Sequence, residues 1–193
     1  ISSRLSHNNT KRGVRLLCVA LALTVVTAVI MPMMHFEGAE IYFGILHLLS
    51  LSMLIFSALR AGLDKINPIV GIIICIAIYI FTYGVSAGYV GIAGLKTFDL
   101  PAVLYRTNYF MPLGFFNSSF HSADYFPLLP HLFMFLTGTF VGVYAANGRF
   151  PAFTYRQRSK ALCFLGRHAL VIYIAHQPII YGILWVVEKI IAK

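Results

Sequence analysis

The chain has 193 residues, of which 59% are hydrophobic and only 11% are charged. A water-soluble domain carries roughly a quarter charged residues, so a soluble globular protein is excluded and an all-α, polytopic bundle of membrane helices is expected. The net charge of +9 does not point to nucleic acid, because the Lys and Arg residues cluster beside apolar runs, as loops held on the cytoplasmic side do.

The opening "ISSRLSHNNTKRG" is polar and basic, unlike a secretory signal. The first apolar run, at about 14–34 and closed by Pro32, predicts a span. An acidic link, "HFEGAE", leads to the second run, "IYFGILHLLSLSMLIFSAL" at 41–59. "RAGLDKIN" follows, and Pro68 opens the third run, where its missing N–H is not needed. Residues 84–128 are too polar to span and too aromatic to be a disordered linker; they predict an ordered loop with short interfacial helices. A fourth run, at about 129–147, contains the small-xxx-small pattern "GTFVG", which permits close helix contact. The basic stretch "NGRFPAFTYRQRSK" precedes a fifth run at about 164–187. No repeat or domain boundary is visible, so residues 1–193 are expected to form one domain. Cys18, Cys75 and Cys163 have no pairing or metal spacing and read as small buried hydrophobes.

Basic residues alternate between the links. Arg4, Lys11, Arg12 and Arg15 lie before the first run, Arg60 and Lys65 after the second, and Arg149, Arg156, Arg158 and Lys160 before the fifth. The positive-inside rule then places residues 1–13, 60–67 and 148–162 in the cytoplasm and the 84–128 loop outside, in a multi-pass protein of the cell membrane.

Polar side chains within the runs are the candidates for chemistry. His47 stands about two turns into the second run, sharing a helical face with Gly44 and Ser50. Tyr173, His176, Gln177 and Tyr181 form a stripe along the fifth. Either histidine can serve packing alone by bonding a neighbouring helix, but ionisable residues in spans usually face a bundle interior or a watery cavity. Pro178 removes a donor and frees the carbonyl of Ile174, which favours a hydrated opening beside His176. Imidazole exchanges a proton near neutral pH, so a general base in a polar pocket shared by His47 and His176 is the functional reading. Ser122 or Asp124 caps a helix entering the membrane on one reading; on the other, Asp124 binds an acceptor or orients a histidine. Arg149, Arg156, Arg158, Lys160 and Arg167 satisfy the positive-inside rule or hold an anionic carrier such as coenzyme A, with Phe153 and Tyr155 able to stack on its adenine.

Three stretches, "FGILHLLSLSML" (43–54), "SADYFPLLP" (122–130) and "GRHALVIYIAHQP" (166–178), together resemble the bacterial membrane family grouped with the catalytic domain of heparan-alpha-glucosaminide N-acetyltransferase. The resemblance runs from the first residue to about 187. It implies a transmembrane acyltransferase of the bacterial inner membrane that takes an acyl group, typically acetyl from acetyl-CoA, in the cytoplasm and delivers it to a sugar amine or hydroxyl outside. His47, Asp124, Tyr125, Arg167, His168, His176 and Gln177 fall on its recurring motifs. That family's opening segment, with an Asp-Arg-Gly type motif and an intramembrane His, is not in this sequence. About five spans are therefore expected here and seven in a complete protein. The expected site has His47, His176 and Asp124 as catalytic groups and Gln177, Tyr125, Tyr173, Ser50 and His168 on the acceptor. Arg149, Arg156, Arg158, Lys160 and Arg167 would bind the acyl-CoA, with no metal. The lipid bilayer and a small-molecule or glycan acceptor are the expected partners, with a homodimer left open. The competing readings are a transporter or flippase of a lipid-linked or small polar substrate, and a structural subunit.

Overall fold

A computed structural model describes residues 1–6, 8–33, 38–92, 95–155 and 159–191; the side chains of 177, 178, 181, 184–186, 188, 189 and 191 lie outside that description. The chain divides into two compact units, Ile1–Arg149 and Phe150–Lys193. Among the described residues four helices are long and apolar enough to cross a membrane: Asn9–Met33, Ile45–Leu63, Pro68–Ala87 and Leu128–Ala146. They coincide with the first four predicted runs.

The first unit opens with a short helix α1 (Ser2–Leu5). Helix α2 (Asn9–Val25) continues through a π-turn, Val26–Ile30, into a last turn α3 (Met31–Met33). The described helix runs to Met33, one residue past Pro32 and near the expected end of the run. A proline ring crowds the carbonyl four residues back, and here the Met31 N–H reaches the Val26 carbonyl five residues back, a wider turn that admits the ring one position later.

Helix α4 (Ile45–Leu63) starts after Gly44, whose backbone is extended at φ −109° and ψ −173°. Helix α5 (Pro68–Thr82) is started by Asn67, whose side chain accepts the Ile69 N–H at 2.9 Å, with Pro68 in the first turn. The loop beyond it holds three 3-10 turns, Val85–Ala87, Ala102–Tyr105 and Met111–Leu113. It also holds an antiparallel hairpin, β1 (Tyr89–Ile92) and β2 (Leu95–Asp99), bulged between Val90 and Gly91. The hairpin was not expected; its Tyr, Val, Ile, Thr and Phe residues suit strands better than interfacial helices. Helix α6 (Leu128–Ala146) begins irregularly, because Leu129, ahead of Pro130, is held extended.

Helix α6 has the most neighbours in this unit: α5, α1 and α4 pack on it, and α2 packs on α4 in turn. Phe56, Cys75, Leu136 and Phe140 form one core cluster; Phe43, Leu48 and Leu128 form a second at the end near Gly44. Lipid is as apolar as these side chains, so burial alone gains little and close fit decides. Gly71 shows this: a Cβ there would lie 2.5 Å from the Phe140 ring. The "GTFVG" face is used as well, by α1, where a Cβ on Gly142 would lie 2.8 Å from Arg4 Cβ. Arg4 also pairs with Asp64, which is 3.8 Å from Arg60 Nε. The N-terminal segment, the 60–67 link and the end of α6 thus share one end of the unit. Only Cys75 of the three cysteines is buried; Cys18 is exposed on the outer face of α2 and Cys163 is intermediate.

In the second unit a 3-10 turn, Ala152–Thr154, leads to α7 (Lys160–Arg167) and α8 (Ala169–Ile191). Ser159 Oγ accepts the Leu162 N–H at 3.3 Å and starts α7 as a separate helix. His168 closes α7, so the fifth apolar run is divided there, and not continuous from 164. The 23 residues of α8 reach about 35 Å at ~1.5 Å per residue, enough to cross a bilayer.

Candidate functional site

The first turn of α4 is where His47, Ser50 and Asp124 of the first unit converge. The irregular segment 40–44 lies beside the turn at 122–126. Ala123 N–H donates to the Glu40 carbonyl at 2.9 Å and Phe126 N–H to that of Phe43 at 3.3 Å. In return Ser122 Oγ accepts the Tyr42 N–H at 3.3 Å, and Asp124 Oδ2 accepts the Ile45 N–H at 3.1 Å. Asp124 does cap a helix entering the membrane, as one reading held, but the helix is α4 and not the α6 that follows it in sequence. Gly44 has no side chain to cap with, and the distant carboxylate fills that role. A Cβ on Gly44 would meet Asp124 Oδ2 at 2.5 Å, so glycine is what lets the carboxylate in.

His47 lies within this cap. It was expected two turns deep, but α4 starts only at Ile45, which places His47 in the first turn, and Gly44 outside the helix. Its Nδ1 accepts the Gly44 N–H at 3.3 Å, the reach-back of a capping box. A neutral imidazole that accepts at Nδ1 carries its proton on Nε2, and Nε2 lies 3.4 Å from Thr24 Oγ1. His47 is therefore set as a donor. The ring is 5% exposed and stacks on Phe43 at 5.4 Å between centroids. Ser50 is fully buried and donates its hydroxyl to the His47 carbonyl at 2.8 Å, which braces this turn.

Tyr125, the residue after Asp124, donates its hydroxyl to the Met111 carbonyl at 2.5 Å. Burial, with Tyr105 nearby, pushes this phenol well above its ordinary pKa, so it stays a neutral donor. Burial raises Tyr105 too, and its hydroxyl donates to the Val85 carbonyl. Tyr125 closes an aromatic triangle with Phe116 and Phe120, each pair 5.1 Å apart.

The second unit presents its histidines differently. His176 Nδ1 donates to the Tyr173 carbonyl and His168 Nδ1 to that of Phe164, at 2.9 Å for the latter. A carbonyl can only accept, so in both rings Nε2 carries the lone pair. In a neutral ring His176 thus carries its lone pair on Nε2, whereas His47 has its own on Nδ1, engaged by the Gly44 N–H. Its ring lies 5.3 Å from that of Tyr173. Gln177, Pro178 and Tyr181, and with them the expected opening at Pro178, have side chains outside the described residues. Arg156 and Arg158 lie outside the described residues as well. Arg149, at the end of the first unit, and Lys160 and Arg167, at the two ends of α7, are exposed and form no ion pair among the described residues. No group of three or more metal-ligating side chains occurs among the described residues.

Thr24, Gly44 and Ser122 were not singled out for these roles from the sequence. A hydroxyl in the middle of "ALALTVVTAV" was the one available signal for Thr24.

Neither the curated proteins nor the solved structures contain a match to the chain. The family model described as "Heparan-alpha-glucosaminide N-acetyltransferase, catalytic" matches residues 2–178, running from α1 through His176 and across both units. The chain belongs to the family of the heparan-alpha-glucosaminide N-acetyltransferase catalytic domain.

Proposed function

We propose that this protein is a membrane acyltransferase that moves an acetyl or other acyl group from acyl-CoA on the cytoplasmic side to a sugar or glycan acceptor on the external side. The observation that carries the reading is the family match, which extends over residues 2–178 and includes all three motifs. Its continuity across both units supports treating them as one functional domain.

In the net reaction the acceptor amine attacks the thioester carbonyl carbon. A C–N bond forms, the C–S bond breaks, and coenzyme A leaves as its thiol after taking up the proton the amine gives up; a hydroxyl acceptor would form a C–O bond in the same way. His176 is the group proposed to take that proton, because its Nε2 carries a lone pair. His47, with its proton on Nε2, is proposed as a hydrogen-bond donor to the acceptor or to the developing oxyanion. Asp124 is a positioning residue that fixes the turn carrying His47. The exposed Arg149, Lys160 and Arg167 are proposed to meet the phosphates of the acyl-CoA, joined by Arg156 and Arg158, since Arg pairs well with phosphate.

The test uses full-length protein in sealed proteoliposomes, with acetyl-labelled CoA supplied on one side and an amino sugar on the other. Label appearing on the sugar supports the reading. Sugar crossing the membrane unmodified, with no labelled product, would establish a transporter in its place.

A further inference from the structure

Beside the turn at 122–126 lies a cavity of about 420 Å³ lined by Tyr42, Asn108, Tyr109, Met111 and Phe120. Its volume falls in the range of roughly 300–1,000 Å³ usual for small-ligand sites, and its lining has their usual make-up of apolar walls with few polar groups. Three of the five lining residues are aromatic and none is charged. The Phe120 and Tyr42 rings are tilted at 48° to each other with centroids 6.2 Å apart. Asn108 Oδ1 accepts the Asn117 N–H at 3.0 Å, so the amide's NH2 is the group left to donate.

The cavity is fastened to the cap of α4 at three points. Tyr42 gives its backbone N–H to Ser122 Oγ at 3.3 Å, Met111 takes the Tyr125 hydroxyl on its carbonyl at 2.5 Å, and Phe120 packs on the Tyr125 ring at 5.1 Å. Its walls are therefore positioned by the same segment that carries Asp124. A pyranose ring suits such a lining: its axial C–H groups form an apolar face for an aromatic ring, and its hydroxyls form a rim for amide and phenol donors. A fatty chain would leave Asn108 and the tyrosine hydroxyls unmatched, and an anion would find no positive charge in the lining.

We infer that this cavity is a sugar-binding subsite, in which Tyr109 and Phe120 stack on a pyranose ring and Asn108 donates to its hydroxyls. The inference deepens the proposed acyl transfer and rests on it for the identity of the sugar as acceptor. Tyr109 is 87% exposed, so its ring can be removed without disturbing the core.

The test compares full-length wild type, Tyr109→Ala and Tyr109→Phe in detergent, with Val103→Ala as an exposed control outside the lining. Both acetyl transfer to methyl α-glucosaminide and equilibrium binding of that sugar are measured. Tyr109→Ala should raise KM for the sugar roughly fivefold to tenfold, as loss of one aromatic contact does, with kcat little changed. Tyr109→Phe and Val103→Ala should stay near wild type. Transfer with the same KM in Tyr109→Ala overturns the subsite and leaves the acyltransferase reading standing. Sugar binding weakened by Tyr109→Ala in a protein that transfers nothing keeps the subsite and rejects the acyltransferase. Wild type that binds no sugar at millimolar concentration overturns the subsite outright.

Discussion

Asp124 Oδ2 accepts the backbone N–H of Ile45 at 3.1 Å across 79 residues of sequence, so the first turn of one membrane helix is capped by the approach to another. The bond joins two of the three family motifs through main chain and carboxylate. Asp124→Ala should lower stability in detergent by about 1–2 kcal/mol, the cost of a lost N-cap with its charge at the positive end of the helix. Asp124→Asn, which keeps an acceptor, should lose less. Thermal unfolding of the two variants checks this; equal losses would mean that charge, not hydrogen bonding, is what α4 needs.

Gly44 and Asp124 should be energetically coupled. Gly44→Ala places a Cβ against the carboxylate at 2.5 Å, an overpacking that typically costs about 1–3 kcal/mol. In the double variant with Asp124→Ala much of that cost should vanish. A double-mutant cycle by chemical denaturation measures the coupling; strictly additive losses would deny the contact.

The two histidines should respond differently to isosteres. Asn at 47 can offer an acceptor near the place of Nδ1, and Gln a donor near that of Nε2. His47→Asn is expected to keep near-native stability and lose activity, and His47→Gln to lose stability while keeping part of the activity. His176→Ala should cut turnover by ~10²–10⁴-fold, the usual contribution of a proton-transfer group. Turnover normalised to folded protein, alongside melting temperature, separates these effects. Full specific activity in His176→Ala would make that residue structural.

Topology is open to chemical test. On a background without native cysteines, an impermeant thiol reagent applied to intact cells should modify Asn117→Cys and spare Ser159→Cys. The reverse pattern would invert the proposed orientation. Pairing of Arg4 with Asp64 already requires residues 1–6 and the 60–67 link to lie at the same end.

Hydropathy sufficed for the spans, because a run of about 20 apolar residues has few alternatives in a membrane protein. It failed at their ends. "IYFG" is as apolar as the helix that follows, yet it is not helical, since the segment it pairs with lies some 80 residues later and no local pattern records it. That error carried His47 a turn too deep. The hairpin at 89–99 was missed for a related reason: four or five residues per strand leave too little periodicity to stand out in an aromatic loop. The histidines themselves were legible, as rare ionisable residues in spans. Their tautomers were not, because these depend on which backbone group each ring meets.

A cap contributed by a later segment also has a consequence in time. Ile45 leaves the ribosome 79 residues ahead of Asp124, a wait of roughly 4–16 s at ~5–20 residues per second. Throughout that interval the amide groups opening α4 have only water or lipid headgroups to bond. The span is thus inserted with the N-terminal end of α4 unfinished, and completion waits for the chain that leads into α6. Assembly of this end is bound to the order of synthesis: the carboxylate comes last and secures what was laid down first.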